Sequence, residues 1–406
     1  MNQFFGKLIN YVWMFCLKPT ASLPLIKEPK LFEGENSSLD LVNHIAEKNH
    51  KSVLIVTGAG LIRRGQVQPI IDRFDELNIK VTVFDGVEPD PTFSITNAAL
   101  NLLVENQCES VLAIGGGSAM DLAKVIALSA SNKKKPEALA GYFKALKKPL
   151  PFYAVPTTAG TGSEVTVISV ISDDQTHAKS FVIDPRTASL ACALDPTFMV
   201  TIPPALTAAT GMDALTHAIE AYTGRNASTY TDEQALAAIR LIFANLPTAV
   251  TDGGNMEARS ALALASYKAG LAFTKASLGY VHAISHQLGA KYGVAHGLGN
   301  AILLPHVIKY SAPAIKDKLA TIANEIGIAQ PGEDTEQLAN RLVDYIFAFN
   351  KQVGIPETVV ELQEKDFPAI VSDAMSEAYF NYPVPKFMPE NDCNQLLLKL
   401  LPNTPA

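Results

Sequence analysis

Short apolar, β-branched runs alternate with amphipathic stretches through the first half of the chain. Val53–Leu54–Ile55–Val56–Thr57 is followed by Gly58–Ala59–Gly60 and then a helical pattern to about Leu77. Val81–Thr82–Val83–Phe84 comes next and ends at Asp85–Gly86. A helix-like stretch from Ser94 to Glu105 leads to Val111–Leu112–Ala113–Ile114, which ends in Gly115–Gly116–Gly117–Ser118 with another helix behind it. A fourth run, Phe152–Tyr153–Ala154–Val155, ends in Pro156–Thr157–Thr158. Strands that are apolar on both faces and separated by helices belong to a parallel sheet covered on both sides. The pattern predicts a doubly wound, Rossmann-like α/β domain.

The texture changes after Pro156. The stretches 165–172 and 179–183 read as a two-stranded excursion. From Pro203 onward the apolar positions recur with the helical period, through Ala-rich stretches at 205–222, 233–250 and 257–277. Asp195–Pro196 and Pro203–Pro204 mark the boundary between the two textures. The second half is therefore expected to be all-α. The tail Pro402–Ala406 reads as a frayed end.

Composition narrows the class. The 406 residues are 48% hydrophobic and 18% charged, the mix of a chain with a large core. The net charge is −7, and the densest basic run, Lys133–Lys134–Lys135, reads as a solvated loop. Nucleic-acid binding is not expected. Cys16, Cys108, Cys192 and Cys393 are far apart with no CxxC pair, which speaks for a reducing cytoplasm. Residues 1–17 carry an apolar stripe of Phe4, Phe5, Leu8, Ile9, Val12, Trp13 and Phe15, interrupted by Asn2, Lys7 and Asn10. The stripe is too short and polar to span a bilayer and lacks a small-residue cleavage site. It suits an extension packed on its own domain or a partner subunit, or a weak contact with a membrane surface.

The sharpest chemical signal lies in the helical half. Asp213 and His217 stand four apart, as do His282 and His286, and His296 follows in Ala295–His296–Gly297. Residues at i and i+4 share one helix face. Each window alone is explained by a surface pair, a cap or a hydrogen-bonded buried histidine. Together they offer one carboxylate oxygen and three imidazole nitrogens, a donor set for iron, zinc or another first-row divalent ion. A 2+ ion with one carboxylate keeps net positive charge and remains a Lewis acid.

Two loops point to a phosphate-bearing ligand. Gly115–Gly116–Gly117–Ser118–Ala119–Met120–Asp121 joins a buried strand to a helix. Glycines admit a phosphate to the backbone, and the helix N-terminus supplies N–H groups. Ser118 can cap that helix. An ordinary glycine turn with a serine cap explains the same residues. Pro156–Thr157–Thr158–Ala159–Gly160–Thr161–Gly162–Ser163–Glu164 could hydrogen-bond phosphate or ribose, or be a plain loop. Gly58-x-Gly60 begins a dinucleotide fingerprint but lacks its third glycine.

These motifs together resemble the iron-containing (group III) alcohol dehydrogenase family. The matching segments are GGGSAMDLAK at 115–124, PTTAGTGSEVT at 156–166, GMDALTHAIEAY at 211–222 and ASLGYVHAISHQLGAKYGVAHGLGNAILLPHV at 276–307. They run in the family's order, within a similarity covering roughly residues 28 to 400.

The resemblance implies a dehydroquinate synthase-like architecture. Its parts are an N-terminal extension at 1–27, a dinucleotide-binding domain at 28–197 and a helical, metal-binding catalytic domain at 198–406. It implies hydride transfer between a primary alcohol, or its aldehyde, and NAD or NADP. One divalent metal, Fe(II) or alternatively Zn(II), would polarise the alcohol oxygen. Asp213, His217, His282 and His296 would ligate it. His286 would relay the proton, and Phe273 would wall the alcohol pocket. Gly116, Gly117, Ser118 and Asp121 would hold the pyrophosphate and neighbouring ribose. Thr157, Thr158, Thr166 and Lys179 would line the rest of the cofactor site, with Asp90 nearby. Relatives of the fold are usually dimers or larger. The alternatives on this scaffold are a polyol (glycerol-type) dehydrogenase or a dehydroquinate-synthase-like enzyme.

Two departures from the family pattern stand out. Many NAD-preferring members have an acid at the end of the first strand, where this chain has Gly58. An acid there would bind the ribose 2′-hydroxyl and repel a 2′-phosphate. Arg63 and Arg64 could offer positive charge nearby or be solvated helix residues, so NADP use stays open. The second is Asn381–Tyr382–Pro383–Val384–Pro385–Lys386, where relatives often show Asn-Pro-Arg.

Overall fold

The computed structural model describes residues 27–176 and 178–402. The N-terminal stripe, Cys16 and the last four residues lie outside them. Contacts divide the chain into two compact units. One runs from Pro24 to Thr201 and takes in Gly254–Gly270. The other includes Ile202–Gly253 and the chain from Leu271.

In the α/β unit, six described strands form one sheet in the order β1-β9-β6-β4-β2-β3. They are β1 (Lys30–Glu33), β2 (Ser52–Thr57), β3 (Lys80–Phe84), β4 (Ser110–Gly115), β6 (Phe152–Pro156) and β9 (Ala191–Leu194). Every pairing is parallel. β2 and β4 are buried along their whole length, which is why the sequence shows unbroken apolar runs there. Alternate residues face opposite sides. Val53 and Ile55 join a cluster with Leu41 and Ile45 from the helix Ser37–Ala46 and Ile70 and Phe74 from the helix Gln68–Glu76. Each such side chain taken fully from water contributes about 1.5–3 kcal/mol. β2 and β4 are neighbours, but β3 follows outward from one and β6 from the other. The loops leaving their carboxyl ends diverge, and that switch point is where open α/β sheets bind ligands.

The structure corrects four details. The helical pattern after Gly58 is two helices, Ala59–Arg63 and Gln68–Glu76, separated by a turn with Gly65 at φ 70°. The excursion has three strands: β7 (Ile168–Ser172) and β8 (Lys179–Ile183) are antiparallel, and the two-residue β5 (Gly141–Tyr142) pairs with β8. Ser163–Val165, at the expected start of the first excursion strand, is a 3-10 turn. Ser118 is not the cap of its helix. That helix runs Gly117–Asn132, Gly116 occupies the cap position, and no side chain caps it. The helix therefore starts two residues earlier than a Ser118 cap would require.

The helix Met256–Ala276 begins in the α/β unit. A Cβ on Gly162 would stand 2.7 Å from the Ser266 carbonyl oxygen and 2.8 Å from the Gly270 Cα. The Gly162 N–H donates to Ser266 Oγ at 3.2 Å. The helical unit includes the long helices Pro204–Thr223 and Thr229–Thr251, which pack on each other. Their close approach needs Gly211, where a Cβ would meet Leu246 Cδ1 at 2.4 Å. Thr229–Thr251 is long and apolar enough to cross a membrane by length and composition. Its Ser228–Thr231 capping box and its buried Ala235, Ile239, Ile242 and Leu246 describe a core helix instead. Cys108, Cys192 and Cys393 are free and buried.

Candidate metal centre and nucleotide loops

Three helices of the helical unit supply the metal-type side chains. The helix Pro204–Thr223 carries Asp213 and His217 one turn apart. The helix Tyr280–Tyr292, closed by Gly293 at φ 69°, carries His282 and His286. His296 opens the long helix His296–Glu325. One ligand atom from each of Asp213, His217, His282 and His296 lies within 4.8 Å of the others. Asp213, His217 and His282 are buried, and His296 is half-exposed. The His217 ring stacks on His282 at 4.6 Å and on Phe273 at 4.3 Å.

Asn300 shows what this pocket is suited to hold. Its Nδ2 donates to Asp213 Oδ1 at 2.7 Å and lies 3.1 Å and 3.2 Å from Nε2 of His282 and His296. An amide NH₂ has two hydrogens for these three acceptors, and Asn300 Oδ1 is buried with no partner. Lone pairs from three residues converge on one point, an arrangement a cation satisfies better than an amide. One carboxylate and three imidazoles fit a first-row divalent ion.

His286 sits beside this group without joining it. Its ring stacks on His296 at 5.3 Å, and its Nδ1 donates to Glu377 Oε1 at 2.7 Å. Glu377 also accepts from the Tyr382 hydroxyl at 2.6 Å and from Gln287 Nε2 at 3.0 Å. Tyr382 belongs to the segment that departs from the family pattern, so that segment has a structural use here.

Glu220, Asn300 and Glu377 were missed by sequence reasoning. Two of them carried a signal. Glu220 follows His217 by three on the same helix, and Asn300 follows His296 by four. Glu220 Oε2 meets His282 Nδ1 at 2.7 Å. Burial pushes the Glu220 carboxyl up to about 8, against the N–H donors that hold it down. Burial, with His217 alongside, drives His282 well below an ordinary imidazole.

Of the expected nucleotide residues, Gly116, Gly117, Ser118, Thr157 and Thr158 lie at the carboxyl ends of β4 and β6 in the α/β unit. The Thr157 N–H donates to Gly115 O at 2.9 Å. A Cβ on Gly116 would stand 3.2 Å from Thr158 Oγ1, and one on Gly117 would stand 3.0 Å from Thr161 Cγ2. The two loops pack close enough that a side chain on either glycine would press on a threonine of the other loop. The uncapped N-terminus of the 16-residue helix Gly117–Asn132 leaves its first N–H groups for an anion.

Asp121 and Thr166 are engaged inside the unit. Asp121 accepts from Ser163 Oγ at 2.8 Å and from the Val170 N–H at 2.9 Å. Lys124, another residue sequence reasoning left without a role, is fully buried. Its Nζ donates to Ser163 Oγ and Thr166 Oγ1, both at 2.8 Å, and to Ile168 O at 3.1 Å. Burial lowers its pKa to about 8 and raises that of buried Glu164 to about 7. Lys179 pairs with Asp90 at 3.2 Å. Gly58 bridges to Gly86 at the end of β2, and Arg64 lies over Gly60 while donating to Gln66 Oε1 at 2.8 Å.

Comparison with known proteins agrees with this chemistry. The family model "Iron-containing alcohol dehydrogenase" matches residues 29–196, and "Fe-containing alcohol dehydrogenase family, C-terminal" matches residues 207–401. The chain is 40% identical over 349 residues to alcohol dehydrogenase 4 of Schizosaccharomyces pombe, covering 85% of this chain and 81% of that protein. It is 41% identical over 332 residues to the 1,3-propanediol dehydrogenase of Klebsiella pneumoniae, covering 80% and 86%. The crystal structure of a 1,3-propanediol oxidoreductase superposes with a TM-score of 0.88 at 37% identity, over 92% of this chain and 98% of that one. Matched along both halves by sequence and by fold, the chain belongs to the iron-containing alcohol dehydrogenase family.

Proposed function

We propose that the protein is a metal-dependent alcohol dehydrogenase that uses NAD or NADP on small primary alcohols or their aldehydes. The observation that carries this is the convergence of Asp213, His217, His282 and His296 within 4.8 Å. These four residues would hold the metal, with Fe(II) the first choice from the family and Zn(II) the second. When bound, the metal supplies Lewis acidity and the nicotinamide supplies hydride chemistry.

The chain's own residues do the rest. Gly116, Gly117 and Ser118 present backbone N–H groups to the pyrophosphate. Thr157 and Thr158 border it, and Lys179 and Asp90 form an ion pair at the edge of the site. Asp121 and Thr166 shape the loop by their internal bonds rather than by reaching outward. Phe273, stacked on His217, gives the alcohol an apolar wall. His286 takes the proton on Nε2, because Nδ1 is already committed to Glu377. Gly58 places no carboxylate at the end of β2, which leaves room for a 2′-phosphate near Arg64. Free, buried cysteines suit a reducing cytoplasm, and the family resemblance suits a homo-oligomer.

The test is NAD(P)H absorbance at steady state. Chelator-stripped protein is mixed with each cofactor and a panel of primary alcohols, with and without Fe(II) or Zn(II). Relatives named for 1,3-propanediol and lactaldehyde set the start of the panel. Metal-restored reduction of either cofactor is expected. Tight cofactor binding with no turnover under any metal would move the protein to an internal-redox enzyme on the same scaffold.

A further inference from the structure

The helix Pro204–Thr223 presents Asp213, His217 and Glu220 at i, i+4 and i+7, along one face. Glu220 is buried and lies behind the metal-type residues. Its Oε1 accepts the Val281 N–H at 2.7 Å. Its Oε2 accepts the Gly279 N–H at 2.8 Å and meets His282 Nδ1 at 2.7 Å. In its ionised form, which the Gly279 and Val281 N–H groups favour, Glu220 only accepts, and against it His282 carries its proton on Nδ1 and turns the Nε2 lone pair inward. Asn300 Nδ2 stands 3.1 Å from that Nε2.

The same carboxylate fixes where the helix Tyr280–Tyr292 begins. No side chain caps that helix from its own Gly279 position, and Glu220 takes two of its first N–H groups instead. Gly279 is required for this. A Cβ there would stand 2.7 Å from Glu220 Oε1. The backbone approach, the helix start and the imidazole tautomer are thus set by one side chain.

We infer that Glu220 is the positioning residue of the metal centre: it fixes the tautomer and ring orientation of His282 and so sets how tightly the chain holds its ion. The inference rests on the reading that Asp213, His217, His282 and His296 bind a metal. A histidine ligand whose far nitrogen donates to a carboxylate is held in ring orientation and made more basic, and loss of such a partner typically costs 10–100-fold in metal affinity. Glu220 touches neither substrate nor cofactor in this role.

The experiment is a competition for Zn(II) between the full-length, metal-stripped chain and a chromogenic chelator. Wild type, Glu220→Gln and Gly279→Ala are compared, and thermal unfolding of each metal-free protein is recorded alongside. Glutamine keeps the size of the side chain but turns an NH₂ toward N–H donors. A 10–100-fold weaker grip on zinc is expected for E220Q. G279A keeps the carboxylate and displaces it, so a loss in the same direction is expected. G279A carries the test if E220Q does not fold. Unchanged zinc affinity with a lowered unfolding temperature would make Glu220 a helix cap only and overturn the inference. Wild type that takes up no zinc or Fe(II) would overturn the metal reading beneath it, a separate outcome.

Discussion

The two units are each organised around a buried ionisable side chain, and the two are opposite in sign. In the α/β unit Lys124 gathers oxygen acceptors from Ser163, Thr166 and Ile168. In the helical unit Glu220 gathers N–H donors from Gly279, Val281 and His282. The difference follows from what each unit would hold. An anion is bound by backbone N–H groups, whose positions depend on where loops run, so the buried group behind them pins loops. A cation is bound by side-chain lone pairs, whose directions depend on ring orientation, so the buried group behind them turns a ring.

Removing a first contact in the helical unit should have the largest effect and leave the other unit alone. His282→Ala is expected to abolish metal content and turnover, beyond the ~100-fold that loss of an outer partner costs. Metal analysis and NAD(P)H assays check this. Retained metal with full activity would remove His282 from the centre. His286→Ala sharpens the same side of the comparison. It should keep the metal and lose rate, by about 100-fold for a general acid–base group. An unchanged rate would take His286 out of the relay.

Lys124→Met tests the other side. It leaves the Ser163 and Thr166 oxygens without their donor and Asp121 and Glu164 without a nearby cation. Breaking a buried charge cluster of this kind costs about 3–5 kcal/mol of stability. Weaker nucleotide binding is expected by calorimetry, with metal content unchanged. Lost metal with intact nucleotide binding would break the comparison.

The smallest effect concerns Glu164. Burial pushes its carboxyl up to about 7 from an ordinary 4.5. Between those values the folded protein keeps a proton that the unfolded chain releases. Its contribution is therefore full below pH 4.5 and fades as pH rises to about 7. Glu164→Gln should flatten that part of the thermal-stability profile. An unaltered slope would show that the carboxyl is ionised throughout.

Sheet and helices were legible because burial on both faces of β2 and β4 writes unbroken apolar runs. β1 and β9 were not picked out: each has only four residues, and β1 is partly exposed at the sheet edge. The metal-type residues were legible because two of the windows repeat a helical spacing. Glu220, Glu377 and Lys124 were harder. A buried or half-buried charged residue on a helix reads in sequence like a solvated one, and only the partners it meets across 62, 91 and 39 residues reveal its place. The Ser118 cap failed for a related reason, since a serine near a helix start is common and the cap position falls on Gly116, two residues before it.

Of the four candidate ligands His296 is the most accessible, its side chain 36% exposed against 3% for Asp213 and 1% for His282. A centre with one accessible ligand would exchange its ion past His296. Chelators and free ions would reach it without unfolding the protein. The ion recovered with the enzyme would then record the growth medium and the cell's metal supply at least as much as any preference written into the chain.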